Sequence, residues 1–418
     1  MSSSCPKVSP RRKASPRGAR LGAACGAALL ALAAASAPAA DVFYQPVASV
    51  QGQWNTNIEL QPGAAQSGAG YMADVATLIG VATPNSQLTL RPDVRYEYYP
   101  TDTSLNRLEA MLDINGQLRY QRDKFSLRGR IDRRDDLNAE IQDAQFNPVN
   151  PGLPVTPTTG RVSVGVVRDN VYLTPSYDHG FSALFSGGLS ATFQRMTYSP
   201  NDPSAHVGFN YYQAQPYFDY TVSARSDIQF GVFGAKFEAV NIESHSEAYG
   251  GLVQGTYNWS PIFHSTLTVL LQRTRNEQTT PTPFQDSTTN WGANVETVYA
   301  GRTDKLRLTV GRQILPSSGG GLYNTDQVQG QYDREITERF ALTAALLYQR
   351  LGTLASNSPS DTRNYLVGQV FAEWMLTRVL FIRGGYSYQW QKYRFDPEGA
   401  NNNQVSLQFG YRGLGRQY

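Results

Sequence analysis

The chain has 418 residues, 17% of them charged and 40% hydrophobic, and a mean hydropathy of −0.41, which excludes a bundle of membrane helices. Glycine (37), tyrosine (25) and aromatics at 11% are high while histidine (4), methionine (5) and cysteine (2) are scarce, a balance that favours strands and turns over a helical or metal-rich enzyme. The formal charge of +3 belongs to the beginning of the chain alone.

Residues 1–39 have the three parts of a secretory signal. Lys7, Arg11, Arg12, Lys13, Arg17 and Arg20 form a basic n-region, residues 21–35 an apolar stretch, and Ala37-Pro38-Ala39 a small-residue cleavage site. The expected organisation is a signal peptide over 1–39 and one β-barrel over 40–418. Losing the leader's six basic residues takes the net charge from +3 to −3, which leaves no case for nucleic acid as a partner. Both cysteines, Cys5 and Cys25, leave with it. That excludes a disulfide framework and thiol catalysis, and suits a chain that crosses an oxidising periplasm unfolded.

Beyond Val42 no helical periodicity is sustained, whereas apolar and polar residues alternate repeatedly. Leu88, Leu90, Pro92, Val94, Tyr96 and Tyr98 share one face, with Arg91, Asp93, Arg95 and Glu97 on the other. Leu108, Ala110, Leu112, Ile114, Leu118 and Tyr120 oppose Arg107, Glu109, Asp113 and Arg119. Phe125, Leu127, Gly129 and Ile131 oppose Arg128, Arg130, Asp132 and Arg134. One face suits lipid and the other water, so the twelve charged residues are candidates to line a lumen.

Short turns fall near residues 84–85, 122–123, 179–180, 225–227, 260–261, 302–304, 337–338 and 377–378. Longer polar loops cover 61–68, 101–104, 137–160, 200–205, 242–248, 276–288, 316–323, 353–363 and 395–402. Eight turns and nine loops give about 18 strands (16–20). The expected fold is all-β: a closed antiparallel transmembrane barrel with short periplasmic turns and longer extracellular loops, in the outer membrane of a Gram-negative bacterium. Tyr257, Trp259, Phe263, Tyr299, Phe340, Trp374 and Phe381 beside short turns, and Tyr98, Tyr99, Tyr211, Tyr212, Tyr323, Tyr348, Tyr365 and Trp390 toward long loops, predict two aromatic belts. Pro92, Pro175 and Pro216 lie inside strands and predict bulges. The closing strand carries Val405, Leu407, Phe409 and Tyr411 on one face, with Gly413-Leu414-Gly415-Arg416 interrupting the alternation before Tyr418.

No catalytic constellation stands out. His179, His206, His245 and His264 lack metal-ligand spacing and read as turn and loop residues. Glu243-Ser244-His245-Ser246-Glu247 reads as a solvated loop rather than a triad. Gly319-Gly320-Gly321 opens no helix and cradles no phosphate. The expectation is therefore no enzyme, no metal and no cofactor. Loop 137–160, with Pro148, Pro151, Pro154, Pro157 and acidic Glu140 and Asp143, is stiff. It can fold inward as a constriction, cover the mouth, or stay exposed. No segment is left over for a plug, so transport is passive or driven by partners.

Leu90-Arg91-Pro92-Asp93-Val94-Arg95-Tyr96, Phe125-Ser126-Leu127-Arg128-Gly129-Arg130, Arg134-Asp135-Asp136-Leu137-Asn138-Ala139-Glu140 and Leu173-Thr174-Pro175-Ser176-Tyr177 resemble the β-barrel porin type 2 family of proteobacteria, which includes barrels associated with exopolysaccharide synthesis loci. The resemblance implies an outer-membrane barrel of this size and no catalytic residues. It leads to the expectation of a passive exit for a polysaccharide, acting with an inner-membrane synthesis machine and a periplasmic polysaccharide-export protein. Outer-membrane lipid and the barrel-assembly machinery are the other expected partners. The alternatives are a diffusion porin for small polar solutes and a surface-structural or adhesive barrel.

Overall fold

The structure is a computed structural model that describes residues 40–63, 65–147, 149, 166–199, 206–240, 242–279, 283–354, 363–394 and 398–417; the expected signal peptide and most of loop 137–160 beyond 147 lie outside these. Strands run in chain order as β1 (Asp41–Asn55), β2 (Gly68–Ala82), β3 (Ser86–Tyr98), β4 (Arg107–Tyr120), β5 (Asp123–Asp135), β6 (Val167–Gly180), β7 (Phe185–Ser199), β8 (Phe209–Ser223) and β9 (Ser226–Ala239). They continue as β10 (Ser244–Ser260), β11 (Phe263–Gln278), β12 (Phe284–Ala300), β13 (Asp304–Ser317), β14 (Gly321–Thr337), β15 (Phe340–Thr353), β16 (Arg363–Met375), β17 (Leu380–Tyr393) and β18 (Ala400–Arg412). Each pairs antiparallel with the next, and β1 pairs with both β2 and β18. Closure leaves no edge strand, which is what a sheet surrounded by lipid requires.

The wall follows from the alternation. Outward positions are Leu, Val and aromatic side chains left bare of protein contact, Leu108 at 63% exposure and Val75 at 59% among them, because lipid and not a second protein layer covers them. Outward rings collect at the short-turn end, where Tyr257, Trp259, Phe263 and Tyr299 form a row with successive centroids 4.7, 6.1 and 6.5 Å apart. Four of the expected belt residues instead face inward and are buried: Tyr99, Tyr211, Tyr365 and Phe381. Proximity to a strand end locates an aromatic in depth but not on a face.

Seven of the eight short turns stand where expected, and the one expected at 179–180 falls at 181–184, because pairing continues to Gly180↔Ser186. Three long connections are shorter, because pairing continues to Ser244↔Gln278, Gln278↔Phe284 and Ser317↔Gly321. His245 therefore lies on a strand rather than in a loop, 3.5 Å from Glu277. In the tight turn after β13, Gly320 takes φ +88°, a conformation a side chain resists.

The expected bulges at Pro92, Pro175 and Pro216 are absent. Each proline sits in an unbroken ladder on one side, while on the other two residue pairs are missing and the register resumes unchanged, as from Ala76↔Asp93 to Ile79↔Leu90. A proline lacks a donor but adds no residue, so it interrupts hydrogen bonding without shifting register. The shifts occur beside short turns, at Thr221/Ser223, Asn258/Ser260 and Glu335/Thr337. At the C-terminal end the chain leaves the ladder after Val47↔Arg412 and rejoins β1 at Tyr44↔Arg416 as β19 (Arg416–Gln417). Three residues, 413–415, thus oppose two, 45–46, and the break in alternation is one bulge.

Candidate functional site

The lumen is crossed by a strap that begins at the end of β5. Asp135 caps a short helix, α1 (Asp136–Gln142), accepting from the amides of Leu137 at 3.1 Å and Asn138 at 3.5 Å, the usual use of a carboxylate before a first turn. Seven residues could not hold a helix in water. Here Leu137 and Ala139 are buried, and Leu137 packs with Ala144, Leu347, Tyr365 and Val367.

Ion pairs pin the strap to both walls. On the near wall Asp143 meets three guanidiniums, Arg130 at 3.1 Å and Arg134 and Arg168 at 3.4 Å. Burial alone would raise the Asp143 carboxyl, but Arg134, Arg168 and Arg130 outweigh it and hold it below its ordinary value. On the far wall the buried Glu140 carboxylate accepts from both terminal nitrogens of Arg363, at 2.5 and 2.7 Å. The Arg363 guanidinium also donates to Gln391 and lies 4.4 Å from the Tyr365 ring centroid. Gln145 donates to Gln369, the Phe146 amide to Gln331, and Gln329 to the Asp143 carbonyl, at 3.0, 3.0 and 2.9 Å. Strand β14, which supplies Gln329 and Gln331, stands nine strands from β5 in a ring of eighteen, so the strap spans the lumen's full width. It returns to the near wall through Asn147 to Asp113 at 2.7 Å and Asn115 to the Val149 carbonyl at 3.0 Å.

The twelve charged candidates all stand at inward positions of β3, β4 and β5, in four groups. Asp113, Arg130, Asp132 and Arg134 anchor the strap: Arg130 pairs with Asp113 at 2.9 Å and Arg134 with Asp132 at 2.8 Å. Glu97, Arg107 and Glu109 hold its beginning, Asn138 donating to Glu97 and Glu109 at 2.8 and 3.1 Å and Arg107 pairing with Asp135. Arg91, Asp93 and Arg95 face the remaining passage. Arg119 and Arg128 are exposed toward the short-turn mouth and join no ion pair among the described residues.

Beside the strap a passage of about 590 Å³ runs along β17, β18, β1, β2 and β3. Its cations reach further into it than their partners do. Side-chain exposure is 29% for Arg91 against 5% for Asp93, 20% for Arg95 against 11% for Asp74, and 33% and 35% for Arg383 and Arg412 against 12% for the Glu373 they share. Arg383, Arg412 and Glu373 escaped the sequence reading, although their inward phase on alternating strands is visible there. Arg363 escaped it because it stood at the margin of an expected loop.

No protein-family model matches the chain, and no curated protein does. Among solved structures it is similar to Pseudomonas aeruginosa OccK2 (OpdF) in complex with glucuronate, at 10% identity over 89% of this chain and 98% of that one, with a TM-score of 0.43. It is also similar to Acinetobacter baumannii OccAB4, at 9% identity over 90% and 98% with a TM-score of 0.41, and to P. aeruginosa OpdK with vanillate, at 9% over 89% and 99% with a TM-score of 0.41. At such identities the likeness is one of fold.

The chain is an outer-membrane β-barrel of the porin type.

Its architecture, a closed antiparallel barrel with an apolar outer face, is that of a Gram-negative outer-membrane barrel. The resemblance stated above holds as far as the porin-type barrel. The expected polysaccharide exit is corrected: a strap pinned at both walls crosses the lumen, and the space beside it measures about 590 Å³. Two of the similar barrels were solved with small molecules, glucuronate and vanillate.

Proposed function

We propose that the barrel is a passive diffusion porin for small polar solutes and favours anions. The observation that carries this reading is the unequal exposure of the charges along the passage: Arg91, Arg95, Arg383 and Arg412 meet the water while their carboxylate partners lie behind them. A charged ring or row in a narrow, low-dielectric opening raises the local concentration of the opposite sign. Guanidiniums also accept a carboxylate in a planar, two-point contact.

Planar-bilayer recordings under a KCl gradient test it. The native barrel is expected to show a reversal potential on the anion side, and the combined Arg91→Gln, Arg95→Gln, Arg383→Gln and Arg412→Gln variant to lose that preference while still conducting. Unchanged selectivity in the folded variant would remove these arginines from the account. In this reading residues 1–39 are an export leader, outer-membrane lipid surrounds the wall, and the barrel-assembly machinery inserts it. N-terminal sequencing of protein recovered from outer membranes should begin at Ala40; a chain beginning at Met1 would refute the leader.

A further inference from the structure

The outside of the barrel carries a feature that conduction does not use. Toward the long-loop end, β7–β10 form a shallow groove of about 570 Å³ on the lipid-facing wall. Its floor is a row of small residues in register across three strands, Ala191↔Ala214 and Ala214↔Gly234. A Cβ placed on Gly234 would meet nothing within 4 Å. Phe193 and Tyr212, with centroids 5.5 Å apart, bound the groove on one side, and Tyr249, opposite Gly234, closes its end.

A second cavity, of about 820 Å³, adjoins it nearer the loops and shares Lys236 and Glu247 with it. On the neighbouring strand Arg273 and Arg275 stand in register with Tyr249 and Glu247, on the same outward face. The cations are lightly committed. Lys236 meets Glu238 at 2.7 Å and Arg275 meets Glu277 at 3.8 Å, all four side chains being 38–58% exposed, and such surface pairs exchange readily. Among the described residues Arg273 meets no carboxylate; it donates to the Ser287 hydroxyl at 3.0 Å. The arc β1–β4, by contrast, presents no charged side chain outward.

An apolar trough floored by alanine and glycine, flanked by rings and headed by Lys236, Arg273 and Arg275, with Glu247 in register between Lys236 and Arg275, fits an acyl chain under a phosphorylated head group. At this end of the barrel the surrounding leaflet is the outer one. We propose that this face binds the phosphorylated glycolipid of the outer leaflet, with one acyl chain along the groove and a phosphate on Lys236, Arg273 and Arg275.

The test is native mass spectrometry of the folded, detergent-purified full barrel titrated with bis-phosphorylated lipid A, with dephosphorylated lipid A and phosphatidylethanolamine as comparators. The native barrel is expected to hold one phosphorylated lipid in preference to either comparator. The Arg273→Glu/Arg275→Glu variant is expected to weaken that binding about tenfold or more. Gly234→Phe, which fills the groove where there is room for a side chain, should weaken it likewise. Heat-modifiable gel mobility reports folding, and if the charge-reversed variant does not fold, Gly234→Phe carries the test. Equal binding by native and variant barrels, equal binding of the comparators, or no lipid on the folded native barrel would each overturn the proposal.

Discussion

Asp143 shows how a single side chain sets the state of the passage. It lies in the strap, reached by Arg130, Arg134 and Arg168 within 3.1–3.4 Å, and the guanidiniums lower its carboxyl against the opposing effect of burial. A carboxylate whose folded value is depressed contributes its full stabilisation above the unfolded value of about 3.9 and loses it as pH falls through the lower folded value. The Asp143 attachment is therefore expected to hold from neutral pH to about pH 4, and its release, seen as wider, noisier conductance substates, to begin only in stronger acid. Asp143→Asn should show those substates already at neutral pH. Current–voltage curves at stepped pH measure this, and a transition centred near pH 6 or 7 would place its cause elsewhere.

At the scale of the element, α1 is too short to persist by its own hydrogen bonds and exists because both its ends and its apolar face are held. Glu140 and Arg363 form the far attachment, both essentially fully buried. Removing one partner of such a pair leaves the other charge buried without compensation, at a cost of roughly 3–5 kcal/mol. Glu140→Ala is expected to spend that by releasing the strap rather than by unfolding the wall, since no ladder hydrogen bond of the barrel depends on it. Single-channel conductance should rise, with frequent flicker, while the heat-modifiable mobility of the folded barrel is kept. A variant with native conductance would show that the near-wall contacts of Asp143 suffice to hold the strap.

Over the whole molecule, the barrel keeps two charge arrangements apart. Inside, acidic and basic residues are nearly balanced, yet the carboxylates are spent on the strap and on pairing, so the water of the passage meets arginine. Outside, the strands β1–β4 present no charged side chain. Much of the wall is legible in the sequence: the phase of Leu88 to Tyr98 and of Leu108 to Tyr120 identifies the outward face, and short turns fall at or beside Pro84-Asn85, Arg122-Asp123 and Ser226-Asp227. The prolines were misread because a missing donor and an extra residue look alike in one strand. Only the partner strand shows that the register at Ile79↔Leu90 is unshifted.

The sequence by itself determined the barrel, because a wall with lipid on one side and water on the other imposes its period of two at every residue, locally and without reference to distant parts of the chain. The candidate charges at Arg91 to Arg134 were visible for the same reason, as the inward phase of that pattern. What only the tertiary structure decided is which of them line a passage and which build a barrier across it. That depends on Glu140 finding Arg363, 223 positions away, and Asp143 finding Arg168 across a loop. Neither choice leaves a periodic trace, since a strap touching the opposite wall selects its partners by shape and charge from many inward glutamines and arginines.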